Sequence, residues 1–192
     1  MFRLRRSKGL SGNNRRRNGP PFSLCSKYGL NTYAYMILGI PGECKETYND
    51  TVSLMAEIQP RLIRPTFLCP VYGTELFDYC KKNNLLKEEK VRVWNAESPL
   101  KLNTISEADL MRCWILFPWQ VNFKMGLEDY RMAISEFDSL EYESLRTQQI
   151  FGKVLEMDEA LDHQHRGTPH YRYHPEQGKD REARFNRFEI SN

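Results

Sequence analysis

The stretch "YAYMILGIPGECKETYND", from Tyr33 to Asp50, constrains the fold more than any other part of the chain. Its first residues are aromatic and aliphatic without clean alternation, which predicts a strand buried on both faces, as in a parallel sheet. A Gly-Ile-Pro-Gly turn, 39–42, then leads into a helix predicted over Glu43 to Ile58. Glycines after a strand let the backbone approach a ligand, and a helix start presents free N–H groups. A tight turn without any ligand fits this spacing equally well.

A second unit of the same kind follows. The segment "LIRPTFLCP" predicts an apolar strand, and its Pro65 indicates an edge position, a bulge or an incomplete sheet because proline cannot donate to a ladder. Thr74 is placed to cap a short helix, and a helix before the first strand is expected to stop at Gly29. Two βα units do not close a structure. The predicted fold class is therefore α/β, with two βα units over 22–84 followed by a helical region.

The region 85–160 is predicted to be helical after a connector with one candidate short strand at 91–94, "VRVW". Ser106 and Asp109 form a capping-box-like helix start. One buried helix face is predicted by four residues at helical spacing: Leu127, Tyr130, Ile134 and Phe137. Core packing is favoured over a partner-binding surface for four aromatic residues: Trp114, Phe117, Trp119 and Phe123.

The ends of the chain show no pattern of a packed core. The first 21 residues carry seven Lys or Arg and no acid, and we interpret 1–21 as a disordered basic arm and 161–192 as a disordered tail. The other 171 residues carry 21 basic and 25 acidic residues, a net charge of −4 that argues against a nucleic-acid-binding domain. RNA or membrane-surface contact by the arm alone is an alternative to a solvated charge run. The apolar run from Cys113 is too short to span a bilayer, so we expect neither nucleic acid nor a membrane as a partner.

Cysteine and histidine positions bear on the compartment and on metal binding. The five cysteines form no CxxC or CxxxC pair, which excludes a metal site built from local spacing. An odd number of cysteines without a secretion signal predicts reduced thiols and a cytoplasmic protein. All four histidines lie in 163–174, where we expect solvated side chains rather than a metal site.

Two motifs together are more specific than either is alone. "ILGIPGE" and "PVYGTEL" are joined by a helix and an apolar strand. This arrangement resembles the late part of the barrel in radical S-adenosylmethionine (radical SAM) enzymes, in the group that often carries a cobalamin-binding domain. The loop after the family's fifth strand is matched by Gly39, Pro41, Gly42 and Glu43, with Cys44 in place of the usual Thr. The segment after its sixth strand is matched by Pro70, Gly73, Thr74 and Leu76. The likeness covers about 23–86 and extends more weakly to about 160.

The resemblance implies that 22–84 form a partial TIM-like barrel, and it implies a cofactor site. In the family, hydrophobic side chains and backbone groups at the ends of these strands pack against the adenine of S-adenosylmethionine. That places Ile37 and Gly39 near the adenine, with Phe67 or Cys69 on the second strand. Pro41, Gly42 and Glu43 would shape the loop, and Glu43 is expected to act structurally at the helix start.

The chain departs from the family at the iron–sulfur cluster. Members bind a 4Fe-4S cluster through a CxxxCxxC loop, which is absent from these 192 residues, as are the family's first four strands. The resemblance and this departure together imply a C-terminal fragment of a radical SAM enzyme that is inactive alone. The parent would catalyse radical chemistry such as methylation or rearrangement. The cluster, and any cobalamin, would come with the missing N-terminal barrel part or another chain.

Two alternatives stay open at this point. The chain is also consistent with a non-catalytic interaction protein that combines the βα units with a basic arm, so enzyme activity is not implied by the sequence alone. A small nucleotide-binding module is weaker, because no phosphate-binding lysine follows the glycine turn. No residue has the spacing of a general base or a nucleophile.

Overall fold

The computed structural model describes residues 21–87, 98–145, 147–175 and 186–191, and only the backbone of 142, 148, 174, 175 and 186–191. Residues 1–20 of the basic arm predicted over 1–21, and the candidate strand at 91–94, lie outside the described residues. The helices are α1 (21–27), α2 (Lys45–Ile58), α3 (Glu75–Lys82), α4 (Glu107–Ile115), α5 (Phe117–Lys124), α6 (Asp129–Ser135), α7 (Tyr142–Leu145) and α8 (Gln148–Gln164). The strands are β1 (Tyr33–Leu38), β2 (Leu62–Phe67), β3 (His170–Tyr171), β4 (His174–Pro175) and β5 (Asn186–Ser191).

The sheet combines one parallel pair with antiparallel additions. β1 and β2 pair in parallel from Tyr33↔Leu62 to Leu38↔Phe67, with α2 between them in the chain. β5 pairs antiparallel with the start of β2, and β3 and β4 both pair with β5, which gives the order β1-β2-β5-β3 with β4 also on β5. The chain is thus a mixed α/β protein, and the strands of the described residues do not form a closed barrel.

The two faces of β1 differ in burial, which corrects the expectation of a strand buried on both faces. Ala34, Met36 and Leu38 are buried under the helices, whereas Tyr33, Tyr35 and Ile37 are 57%, 65% and 50% exposed. We call the side carrying these three exposed residues the open face. All six side chains are apolar or aromatic, so hydrophobicity could not reveal the alternation that the strand geometry imposes.

Pro65 lies where β2 needs no donor. The N–H of Leu62 donates to the carbonyl of Thr32 (3.1 Å) and that of Leu68 to Leu38 (2.7 Å), so the even-numbered residues of β2 bond to β1. Pro65 is odd-numbered and therefore faces the other edge, where β5 pairs only with Leu62 and Ile63. Pro65 therefore lies at a part of the β2 edge that no strand of the described residues pairs with. An edge position was one of the three arrangements that the sequence predicted.

The helix signals in the sequence are confirmed at their caps. The hydroxyl of Thr74 accepts the N–H of Phe77 at 3.2 Å, and that of Ser106 accepts the N–H of Asp109 at 3.0 Å. Gly29 has the left-handed φ of 67° expected after α1. Of the predicted aromatic residues, Trp114, Phe117, Trp119, Tyr130 and Phe137 are buried in one core cluster. None of the described helices is both long and apolar enough to cross a membrane.

The stretch 161–192, for which the sequence predicts no structure, contains regular structure in its described part. α8 continues to Gln164, and His170, Tyr171 and Tyr173 are fully buried. The side-chain amide of Asn122 donates to the carbonyl of Tyr171 and accepts its N–H, both at 2.7 Å. These contacts join positions far apart in the sequence, so the polar composition of the segment did not indicate its burial.

Candidate functional site

The loop 39–43 lies at the carboxyl end of β1, where parallel sheets commonly bind ligands. Gly39 and Gly42 have φ values of 81° and 92°, in the left-handed region that favours glycine. A Cβ on Gly39 would meet Leu110 Cδ2 and Ser98 Oγ, both at 3.3 Å, while nothing lies within 4 Å of one on Gly42. Gly39 is therefore required both for its conformation and for its close packing.

Glu43 ties this loop to itself and to the segment before α4. Its carboxylate accepts the N–H of Gly39, and its own N–H donates to the carbonyl of Ile40 at 2.8 Å. The hydroxyl of Thr104 donates to the Glu43 carbonyl. Burial raises the pKa of the Glu43 carboxyl, and the backbone N–H groups of Gly39 and Ile40 partly offset this. Through these contacts Glu43 stabilises the conformation of the loop.

The residues predicted to surround an adenine divide between the two faces of the sheet. Ile37 lies on the open face, next to the loop that contains Gly39, Pro41, Gly42 and Glu43. Phe67 pairs in register with Leu38 and therefore lies on the opposite, covered face, where its ring is 5.4 Å from that of Trp114. Cys69 follows the end of β2 and is half-buried.

The open face of β1 also carries the strand's outer backbone groups. Since the even-numbered residues of β1 bond to β2, the N–H and C=O of Tyr33, Tyr35 and Ile37 point to the other edge. Among the described residues no strand pairs with that edge. The same three residues thus present apolar side chains and unpaired strand backbone, a combination that favours addition of another strand.

A shallow cleft of about 440 Å³ lies beside the loop, between the starts of α2 and α4. Cys44, Lys45, Thr104 and Asp109 are among the residues that line it. The Lys45 ammonium pairs with the Asp109 carboxylate at 3.1 Å, and this cation, with Ser106, holds the pKa of that carboxyl below its usual value despite burial. The cleft's cation is therefore already neutralised by an acid of the same chain.

A second polar site, which sequence reasoning missed, joins α8 to the segment 168–175. The indole N–H of Trp119 donates to Asp158 Oδ1 at 2.8 Å, and Arg172 Nε lies 3.5 Å from Asp158 Oδ2. Asp162 contacts both Arg172 Nη1 and His170 Nε2 at 3.1 Å. The spacing of Asp158 and Asp162, one helical turn apart, was the available signal for it.

Burial dominates the electrostatics of this second site. It raises the pKa of Asp158 to about 6, against the opposing effects of Trp119, the Tyr173 amide, Arg172 and His170. Burial also raises the pKa of Tyr130, and the negative charge of Asp158 raises it further. The Tyr130 hydroxyl has no hydrogen-bond partner among the described residues. The Tyr130 ring stacks on that of His165, 5.5 Å between centroids.

Neither site offers a ready metal centre. No group of three or more His, Cys, Asp or Glu side chains within the described residues is placed to hold a metal ion. The five cysteines are all free thiols, and Cys80 and Cys113 are buried. The chain matches no protein-family model, no curated protein and no solved structure.

Proposed function

We propose that this chain is the C-terminal part of a radical SAM barrel, supplying the adenine-side wall of a cofactor site that another polypeptide completes. The observation that carries the proposal is the position of Ile37. It is half exposed on the open face, beside the glycine loop at the carboxyl end of a parallel strand. A half-exposed aliphatic side chain next to loop backbone is the kind of surface on which a purine packs.

The residues present fit the adenosine moiety and do not fit the iron–sulfur cluster. Ile37 would pack on the base, and the backbone of Gly39 would border it. The half-buried Cys69 is the remaining candidate on the second strand, while Phe67 would support the sheet from its covered face. The sequence has no CxxxCxxC loop, and no three-ligand group occurs in the described residues. We therefore assign no electron-transfer step to this chain.

The open edge of β1 defines the partner that the proposal requires. A parallel sheet is normally covered on both faces, whereas the helices of the described residues cover one face of β1. The missing N-terminal barrel part, or another chain with a free strand, would pair with Tyr33, Tyr35 and Ile37 and cover the open face. Free thiols fit the proposed cytoplasmic location, and we propose neither nucleic acid nor a membrane as a partner.

Ligand binding and iron content test the proposal together. We expect S-adenosylmethionine and 5′-deoxyadenosine to bind the purified chain with equally weak affinity, a Kd on the order of 1 mM, because no cluster holds the methionine moiety. Anaerobic reconstitution should leave no iron bound. Ile37→Asp should abolish binding, and Met132→Asp, at a residue 77% exposed on α6, should not. Failure of both ligands to bind, or stoichiometric iron, would contradict the proposal.

A non-catalytic interaction protein is the second candidate, and the free edge of β1 favours it specifically. In that case the edge would bind a partner strand without any need for adenosine. Ile37→Asp would then weaken partner binding, while neither adenosine ligand would bind the wild-type chain. The two candidates are thus separated by the ligand titration alone.

A further inference from the structure

The outer edge of β1 has a sequence that permits pairing with a second copy of itself. The strand "YAYMIL" contains no charged residue and no proline. Charged side chains and prolines are the features by which proteins commonly keep an edge strand from pairing with an identical edge. Among the described residues no strand pairs with this edge of β1. The strand itself therefore does not oppose addition of a second β1.

The backbone of this edge fits an antiparallel copy related by a two-fold axis at Tyr35. The N–H and C=O groups of Tyr33, Tyr35 and Ile37 point to the edge. In an antiparallel pair, residues of this kind lie opposite one another and exchange two hydrogen bonds. With Tyr35 opposite Tyr35 of the second copy, each Tyr33 lies opposite an Ile37. All three residues of both copies then have a backbone partner.

The side chains of the open face match in the same register. A two-fold axis perpendicular to the sheet keeps the open faces of both copies on one side. Tyr35 then packs beside its equivalent, and Tyr33 beside Ile37. Aromatic pairs and pairs of an aromatic with a β-branched residue are the favourable cross-strand neighbours. A register shifted by two residues would place Tyr33 or Ile37 opposite a residue outside β1, so symmetry favours the register centred on Tyr35.

The charge next to this edge is also compatible with two copies. Arg64 pairs in register with Tyr35 and so lies beside it on the open face. In a sheet ordered β2-β1-β1-β2 the backbones of the two Arg64 residues would be three strand spacings apart, about 14 Å. Exposed charges at that separation are screened at physiological salt, where the Debye length is about 8 Å. Like-charge repulsion therefore does not oppose the pairing.

The area available at this edge corresponds to a reversible dimer. Tyr33, Tyr35 and Ile37 are 57%, 65% and 50% exposed. Since a large side chain presents about 150–250 Å², the three contribute roughly 300–400 Å² from each copy. With the strand backbone, the two copies together approach about 1,000 Å², near the lower limit of specific interfaces. We therefore expect a dissociation constant on the order of 10–100 μM.

We infer that the free edge of β1 joins two copies of this chain into a dimer, in antiparallel register centred on Tyr35. The second copy occupies the edge at which the proposed function places another polypeptide, so the two partners exclude each other. The dimer requires the free edge alone and does not depend on the proposed cofactor. A dimer of a chain that binds neither adenosine ligand would support this inference and contradict only the proposed function.

Sedimentation equilibrium of the full chain measures the association. Tyr35→Glu places an acid beside Arg64 of its own chain but opposite the same acid of the second copy, so we expect the dissociation constant to rise at least about tenfold. Tyr72→Glu is the matched control, at a tyrosine 84% exposed outside β1, and should dimerise as the wild type does. A wild-type chain that stays monomeric up to about 500 μM, or a Tyr35→Glu variant that dimerises equally well, would overturn the inference.

Cysteine cross-linking tests the register. The Cα atoms of the two residues 35 would be about 5.5 Å apart, within the range that a disulfide spans. Mild oxidation should therefore link Tyr35→Cys into a covalent dimer. In Tyr33→Cys the two new cysteines would be about 14 Å apart and should not link beyond the wild-type background, which the half-buried Cys25, Cys44 and Cys69 set. Equal cross-linking of the two variants would overturn the register. If a variant at Tyr35 does not fold, sedimentation of the wild type still decides whether a dimer forms.

Discussion

Asn122 and Tyr171 bind each other through two hydrogen bonds of 2.7 Å, one in each direction, between an α5 side chain and the β3 backbone. Both residues are fully buried, so neither partner has access to water. A single side chain thus satisfies both the N–H and the C=O of Tyr171, a residue 49 positions away in the sequence.

Replacing Asn122 by Ala should destabilise the protein strongly. The change leaves a buried N–H and a buried C=O of Tyr171 unsatisfied, for which we expect a loss of about 2–4 kcal/mol in the free energy of unfolding. Urea denaturation measures it. Asn83→Ala is the matched control, because that exposed amide donates to the Tyr79 carbonyl at the end of α3, and we expect a loss below about 1 kcal/mol. Equal losses would show that the backbone of the segment 168–175 does not depend on Asn122.

Phe67 and Ile37 should respond oppositely in stability and in ligand binding. Phe67 is 8% exposed and packs on Trp114, so Phe67→Ala should cost about 3–5 kcal/mol of unfolding free energy. Ile37→Ala should cost less than about 1 kcal/mol because the side chain already faces solvent. Adenosine binding should instead be weakened by the Ile37 substitution. Denaturation and ligand titration of both variants check the assignment of the two faces.

Alanine substitutions at Gly39 and at Gly42 separate the effect of close packing from that of backbone strain. Both have positive φ, so alanine at either should cost about 1 kcal/mol for conformation alone. Gly39→Ala should cost about 1–3 kcal/mol more, because its Cβ would press on Leu110 and Ser98. Thermal or urea unfolding of the two variants gives the difference directly. A Gly42→Ala variant as unstable as Gly39→Ala would contradict the close packing.

Glu43 should show a pH-dependent contribution whose sign follows from its raised pKa. A raised folded-state pKa means that the folded protein holds the proton more tightly, so this contribution to stability falls as pH rises from the ordinary value of 4.5 through the raised one. Glu43→Gln keeps an acceptor for the Gly39 N–H without the buried charge, and should be neutral or stabilising at pH 7 by up to about 1 kcal/mol.

The matched variant Glu43→Ala removes the acceptor as well as the charge. It should lower the free energy of unfolding by about 1–3 kcal/mol at the same pH. Unfolding of both variants at pH 7 and at acid pH measures the two contributions separately. A Glu43→Gln variant as unstable as Glu43→Ala would show that the negative charge itself stabilises the loop.

Local signals in the sequence carried most of what could be predicted. The caps at Thr74 and Ser106 and the left-handed Gly29 depend only on neighbouring residues, and all three are confirmed. The glycine loop was located for the same reason. The sequence could not predict which face of β1 is covered. The exposed Tyr33 and Tyr35 are large and aromatic, so they indicate burial as much as the buried Met36 and Leu38 do.

The second site depends on contacts that no local pattern contains. Tyr171 is held by Asn122 and by Pro60, the latter 111 residues away, so a polar segment became part of the core. The face on which Phe67 lies could not be predicted for a related reason. Its face is fixed by the register Leu38↔Phe67, and register is a property of two strands rather than of either sequence.

Pro65 limits which strand of the parallel pair can accept another strand. On the side of β2 away from β1, the ring nitrogen offers no hydrogen and β5 has paired only with Leu62 and Ile63, so a further full-length strand cannot be seated there. The outer edge of β1 contains no proline that would prevent pairing. A full-length strand that extends the parallel pair must therefore add to β1 rather than to β2, because of this proline.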